Sequence, residues 1–326
     1  MEIDRIALIA LACLVAPVPL SYAVEALRRP PSRPSGLAWA PGIPVAEVDL
    51  GGVGVRYVKT GAGPNLVLLH TLRTQLDIFQ KALPALATRF TVHAFDYPGH
   101  GWSDIPNSAY APEDFYLWAE RFLERLDIRH ATLAGISIGG TIALVLAARQ
   151  NPRVARVIAI NPYDYFPAGG IRVSSLTARL ILGPADVPVL GPTLMRLRSR
   201  FVTDRIMEGG VASADALPPD LLRELYETGA RPGHYQGFLS LLAHEHLWPK
   251  ARDEYARIAV PTLLVYGDED WAPAAERERE RNLLPRAEAA TIPAGGHFLS
   301  LDRPRELEEL IARFAAGTGT RDSSRK

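Results

Sequence analysis

Short apolar runs alternate with longer amphipathic segments along most of the chain, and this alternation predicts a sheet covered by helices. Residues 45–50 and 53–60 alternate apolar and polar positions about a Gly-Gly turn, which predicts an antiparallel hairpin. Further strands are predicted at 65–70, 91–96, 131–136, 154–161, 262–266 and 288–292, and helices at 76–89, 112–126, 139–149, 274–284 and 304–316. We therefore expect an α/β fold with a mostly parallel, doubly wound sheet.

The alternation stops between residues 163 and 246. This segment consists of apolar helical pieces that are rich in arginine and broken by Gly-Pro and Pro-Pro pairs. We interpret it as a helical cap inserted over the edge of the sheet, which leaves residues 45–162 and 247–316 as the core. The polar residues 317–326 are expected to be disordered.

The N-terminus has a different pattern. Residues 6–24 carry no charge, and a helix of that length nearly matches a hydrocarbon core of about 30 Å. This predicts a membrane anchor within residues 1–27, and the arginines Arg28, Arg29 and Arg33 favour a cytoplasmic position for the globular part. The alternative is a signal peptide cleaved near Ala23, followed by export. Residues 28–44 are rich in proline and are predicted to be a semi-rigid linker.

Composition limits the partners and sites that can be expected. The chain has 36 basic and 36 acidic residues, so its charge gives no reason to expect a nucleic-acid partner. The single cysteine, Cys13, excludes an intrachain disulfide and a cysteine-based metal site. His244 and His246 are two residues apart on a predicted helix and would point to different faces. We expect neither a cofactor nor a metal.

One serine stands where chemistry is expected. Ser137 is the centre of Gly135-Ile-Ser-Ile-Gly139, between a predicted strand and a predicted helix. The glycines permit a sharp turn that exposes the hydroxyl, while the helix directs its N-terminal amides, including that of Ile138, at the same point. Developing negative charge would be stabilised there. The alternative is a serine in the Gly-rich turn of an ordinary βαβ unit.

Two later segments supply the other groups that a nucleophilic serine needs. Residues 266–273 (YGDEDWAP) place acidic residues in a loop after a buried strand, and residues 292–298 (IPAGGHF) place His297 after the last strand. Both loops lie at the carboxyl edge of the predicted sheet, as does Ser137. An imidazole that accepts the serine proton requires an acceptor for its own N–H, so the order serine, acid, histidine fits nucleophilic catalysis.

With these motifs and residues 96–103 (DYPGHGWS), the chain resembles the α/β-hydrolase superfamily, specifically its serine-nucleophile members with a helical cap. The resemblance covers residues 45–316. It implies a catalytic triad of Ser137, Asp270 and His297. Asp268 is the second choice for the acid, and Asp164 the third.

The resemblance also implies an oxyanion hole formed by the backbone amides of Ile138 and Leu72. Here the chain departs from the family, because it has His70-Thr-Leu-Arg73 where relatives usually have His-Gly. Thr71 restricts the turn more than glycine would. Arg73 would line the site or form a surface ion pair.

The function that the resemblance implies is acyl transfer from a small, apolar, ester-type substrate to water. One alternative is hydrolysis of a carbon–carbon bond in a diketone-like metabolite. Another is a non-catalytic binding module on the same fold. Apolar residues in helical register within the cap, such as Leu176 and Leu180, favour an apolar acyl or alcohol group.

Overall fold

Eight strands form a single sheet in the computed structural model, which describes residues 16–317. The strands are β1 (Val45–Asp49), β2 (Gly54–Thr60), β3 (Asn65–Leu69), β4 (Thr91–Phe95), β5 (Ala131–Ile136), β6 (Val154–Ile160), β7 (Thr262–Gly267) and β8 (Glu288–Ile292). Their order in the sheet is β1-β2-β4-β3-β5-β6-β7-β8. The pairs β1–β2 and β2–β4 are antiparallel and the others are parallel, which confirms the predicted α/β sheet.

Helices connect the strands. The α-helices of the described residues are α1 (Pro17–Ala26), α2 (Leu83–Leu86), α3 (Pro112–Arg125), α4 (Ile138–Ala148), α5 (Leu176–Leu182), α6 (Leu190–Arg196), α7 (Arg200–Glu208), α8 (Pro219–Gly229), α9 (His234–Ala243), α10 (Ala274–Leu283), α11 (Leu299–Asp302) and α12 (Pro304–Ala315). Short 3₁₀ helices lie at Leu76–Phe79, Ile171–Val173, Gly183–Asp186, Ala214–Ala216, Glu245–Asp253 and Tyr255–Arg257. Helices α5 to α9 all lie between β6 and β7, in the segment predicted to form the cap.

The sheet is buried on both faces. Val67 and Leu69 of β3 belong to one apolar cluster, whereas Leu66 and Leu68 belong to the cluster on the other face. Every residue of α4 is buried. Because successive side chains of a strand point to opposite faces, such continuous apolar runs are what a doubly covered strand requires.

The helix predicted over residues 76–89 is the main local difference. It is a 3₁₀ turn at Leu76–Phe79 followed by the single α-turn Leu83–Leu86. Pro84 has no N–H to donate to residue 80, so a continuous helix would lose a hydrogen bond there. All four residues of the 3₁₀ turn are buried, whereas an amphipathic helix would expose one face.

The prediction of a membrane-spanning N-terminal helix is wrong for the described residues. None of the helices within residues 16–317 is long and apolar enough to cross a membrane. Helix α1 has 10 residues and packs against α6 of the cap. Its Ser21 is buried and accepts a hydrogen bond from Arg196, and Glu25 pairs with Arg198. Helix α1 is therefore bound to arginines at the end of α6 and just after it, and a single transmembrane anchor is not supported. Residues 6–15 of the predicted span, and residues 318–326 of the predicted tail, lie outside the described residues.

Candidate active site

Ser137 occupies a turn that its neighbours make very tight. It joins β5 to α4 with φ 59° and ψ −122°, a left-handed conformation that non-glycine residues seldom adopt. A Cβ atom on Gly139 would lie 2.2 Å from the carbonyl oxygen of Leu69, and one on Gly135 would lie 2.1 Å from the backbone of Gly139. The glycines on both sides are therefore required for the turn to pack against β3. Ser137 itself is 1% exposed.

His297 and Asp270 meet directly. The imidazole Nδ1 lies 2.5 Å from Oδ1 of Asp270, and the other carboxylate oxygen accepts a hydrogen bond from the amide of Ala272 at 3.0 Å. A carboxylate that accepts from Nδ1–H fixes the tautomer in which Nε2 carries a free lone pair. The His297 side chain can therefore act as a base through Nε2.

Nε2 of His297 is buried and has no hydrogen-bond partner among the described residues. The hydrogen bond from Ser137 to the imidazole is thus not formed in this arrangement. Ser137 and His297 are nevertheless both hydrogen-bonded to residues at the carboxyl end of β6. The Ser137 amide donates to the carbonyl of Ile160 at 2.8 Å, and the Asn161 side chain donates to the carbonyl of His297 at 3.0 Å.

The two amides expected to form an oxyanion hole lie at the ends of adjacent strands. Ile138 is the first residue of α4, and Leu72 follows β3. Neither amide donates a hydrogen bond to another group within residues 16–317. The loop before Leu72 is held by His70, which donates from Nδ1 to the Thr71 carbonyl at 2.7 Å and accepts at Nε2 from the Tyr97 amide at 2.9 Å. Burial holds the pKa of His70 well below its ordinary value, so this imidazole is neutral.

The other two candidate acids lie elsewhere. Asp268 is exposed and accepts a hydrogen bond from the amide of Gly295 at 3.2 Å. Asp164 is buried and binds Arg252 at 2.9 Å and the Tyr255 hydroxyl at 2.7 Å. The structure therefore brings Asp270, and neither alternative, to the imidazole.

Residues 66–310 match the alpha/beta hydrolase family. The chain belongs to this family. The match covers most of the chain and confirms the resemblance that the motifs indicated. It also supports the conclusion that the protein is an enzyme of the hydrolase class.

Two bacterial proteins are among the relatives of this chain. The hydrolase is 32% identical over 243 residues to the magnesium-chelatase 30 kDa subunit of Rhodobacter capsulatus, covering 73% of this chain and 81% of that protein. It is 27% identical over 278 residues to pimeloyl-(acyl-carrier protein) methyl ester esterase of Nitrosospira multiformis, covering 82% and 100%. The crystal structure of Cfl2 from Burkholderia cenocepacia superposes with a TM-score of 0.75 at 23% identity, covering 88% and 99%. That likeness shows the fold.

Sequence patterns missed two residues that hold the histidine of this hydrolase. Asn161 follows β6, and besides the His297 carbonyl its side chain binds the backbone of Gly296 and Gly267. Trp271 stacks its ring on the imidazole with centroids 3.8 Å apart and planes at 13°. Two sequence features could have identified them: an asparagine directly after a buried strand, and a tryptophan next to the candidate acid.

A buried ionic cluster links the cap to the core. Arg56 binds Asp77 at 2.9 Å and Asp96 at 3.2 Å, and Glu224 of α8 approaches the same guanidinium to 3.8 Å. The Trp102 indole donates to Glu224 at 2.8 Å. Burial and the negative charge of Asp77 raise the pKa of Glu224 to about 7, although Arg56 opposes the shift.

No group of three or more metal-ligand side chains is present in the part of the chain that the structure describes. His244 and His246 each contact a backbone carbonyl through Nδ1, at 2.7 and 3.0 Å.

Proposed function

We propose that this hydrolase uses Ser137 to transfer the acyl group of a small ester to water. The observation that carries the proposal is the buried, unpartnered Nε2 of His297, whose ring is oriented by Asp270 on its other side. A buried acceptor without a partner is costly, and a catalytic role is one of the reasons for which a structure retains one. A serine hydroxyl is the group that this lone pair would serve.

The proposed reaction has two halves. Ser137 Oγ attacks the ester carbon while His297 Nε2 accepts the hydroxyl proton, and the amides of Ile138 and Leu72 bind the negative oxygen. The bond between the acyl carbon and the alcohol oxygen breaks, and the alcohol leaves with the proton from His297. Water then attacks the acyl-serine, His297 takes one proton, and the acid leaves as Ser137 regains its own.

The esterase among the relatives supports an ester as the bond that is cleaved. The buried acid and histidine favour catalysis over a purely binding role, because a binding module has no need of an oriented base. The apolar side chains of the cap, described below, favour a substrate whose middle part is hydrocarbon.

The test is labelling of the purified full-length protein with a fluorophosphonate, together with turnover of a short-chain ester. We expect labelling of the wild type, and for Ser137→Ala we expect no labelling and a loss of turnover of about 10⁴-fold or more. Ser300→Ala is the matched control, because Ser300 is also buried but its hydroxyl is bound to the Ile78 carbonyl. Labelling that persists in Ser137→Ala would refute the nucleophile, and an unlabelled wild type would favour a non-catalytic module.

A further inference from the structure

Residues of the cap, together with Arg73, line a small cavity. Its volume is about 40 Å³, and its walls include apolar side chains such as Ile181, Met195 and Phe238. Apart from Arg73, every residue that lines it belongs to the cap. Arg73 directly follows Leu72, the candidate oxyanion donor. The guanidinium therefore extends from the active-site loop into a cavity that is otherwise mainly apolar.

Arg73 has no carboxylate partner among the described residues. Its guanidinium donates a hydrogen bond to Nε2 of His234 at 3.4 Å. It also lies 5.3 Å from the centre of the Phe238 ring. Four other poorly exposed arginines meet acids: Arg56, Arg172, Arg198 and Arg252 bind Asp77, Glu245, Glu25 and Asp164. Arg196 and Arg231 have no acid partner either, but each donates to two neutral oxygens. A guanidinium has five N–H donors, and Arg73 leaves most of this capacity unused.

The surroundings add no negative charge. Arg198, the other arginine of the cavity, is paired with Glu25 of α1 at 2.8 Å. His234 is buried, and burial together with the charge of Arg73 keeps its pKa well below the ordinary value, so it is neutral. Burial, followed by the repulsion of Arg198, lowers the pKa of Arg73 to about 9, which leaves the guanidinium charged at neutral pH.

A poorly exposed charge without a counter-ion is unfavourable, and proteins normally pair it. Gly229 leaves space for the Arg73 guanidinium, because a Cβ atom at this position would lie 2.6 Å from the guanidinium nitrogens. Of the two arginines that line the cavity, Arg198 has a carboxylate partner in Glu25, whereas Arg73 has none among the described residues. A carboxylate carries one negative charge and matches the planar guanidinium in a bidentate manner, whereas a phosphate would bring up to two charges.

We propose that Arg73 binds a free carboxylate at the end of the substrate remote from the ester bond. The apolar walls of the cavity would contact the hydrocarbon between the two groups, so the substrate class is the monoester of a dicarboxylic acid. This inference rests on the proposed ester hydrolysis. It replaces the wholly apolar substrate expected from the cap with an anionic one.

The kinetic test compares methyl hydrogen glutarate with dimethyl glutarate, which differ by one methyl on the remote carboxyl group. We expect wild-type kcat/KM to favour the monoester by about tenfold or more, the size of one charged hydrogen-bonded contact. Arg73→Met should abolish the preference, and Arg73→Lys should restore part of it. Gly229→Ala should lower it without removing the charge, because the new methyl displaces the guanidinium. Arg179→Gln, which removes an exposed arginine of the cap, should keep the wild-type ratio.

A binding measurement separates this inference from the proposed chemistry. In the Ser137→Ala background, calorimetry with methyl hydrogen glutarate should show binding that the added Arg73→Met substitution weakens by about tenfold. Arg73→Met should also leave the melting temperature of the ligand-free protein unchanged or raised, since it removes an uncompensated charge. A lowered melting temperature with an unchanged substrate preference would mean that Arg73 is structural. That outcome overturns the inference while fluorophosphonate labelling of Ser137 would still stand.

Discussion

The serine edge of the sheet and the cap are built from different kinds of interaction. At the edge, a few residues close in sequence define each part of the site: two glycines set the turn at Ser137, and Asp270 lies in the loop directly after β7. In the cap, charges pair over long distances along the chain. Glu25 and Arg198 are 173 residues apart, and Arg172 and Glu245 are 73 apart. Each part of the candidate site is thus set by neighbours in sequence, whereas the cap is held together by pairs that are distant along the chain.

This difference predicts two kinds of mutational effect. Changes at the edge should reduce the rate with little loss of stability, because the altered groups face the reacting atoms. Changes to the paired charges of the cap should reduce stability first, because each one leaves a buried partner uncompensated.

The largest effect should come from the acid. Asp270→Asn removes the carboxylate that orients His297, and the amide can favour the wrong tautomer, so we expect kcat for an ester to fall by about 10³- to 10⁴-fold. Asp268→Asn should change it by less than about threefold, since Asp268 is exposed and bound to backbone. Steady-state kinetics of both variants checks this, and equal losses would argue against the assignment of Asp270.

A smaller effect is expected where α1 meets the cap. Glu25→Gln removes the acid that Arg198 and Arg28 share, and the Arg198 side chain is only 7% exposed. We expect the free energy of unfolding to fall by about 2 kcal/mol, measured by urea denaturation. Glu208→Gln, which breaks the surface pair with Arg205, should cost less than about 0.5 kcal/mol. If both variants lose the same amount, the cap arginines are no more dependent on their partners than surface ones are.

The smallest effect should be a pH dependence at Glu224. Its pKa is about 7 in the folded protein and 4.5 as the ordinary value, so the folded state binds the extra proton and gains stability from it at low pH. That gain is lost as the pH rises through about 7. The wild type should therefore lose on the order of 1 kcal/mol relative to Glu224→Gln between pH 5 and 8. Urea titrations at both pH values test this, and a constant difference would show that Glu224 does not titrate in that range.

The sequence predicted the sheet well because each strand carries its own signal. β5 and β8 were predicted at their observed bounds, and the other parallel strands within one residue. The N-terminal prediction failed for a physical reason: hydropathy over residues 6–24 cannot register that Ser21 and Glu25 have arginine partners far along the chain. The sequence also could not predict that Arg73 has no carboxylate partner among the described residues. That property depends on which acidic side chains the fold places near the guanidinium.

The backbone of Ser137 implies that this hydrolase is not as stable as its scaffold allows. Alanine at this position would keep the left-handed torsion, so removing the hydroxyl would not relieve the strain. Glycine would relieve it, at a gain on the order of 1 kcal/mol. Selection for thermal resistance alone would therefore favour glycine here, and would give a more stable protein without the hydroxyl on which the proposed reaction depends.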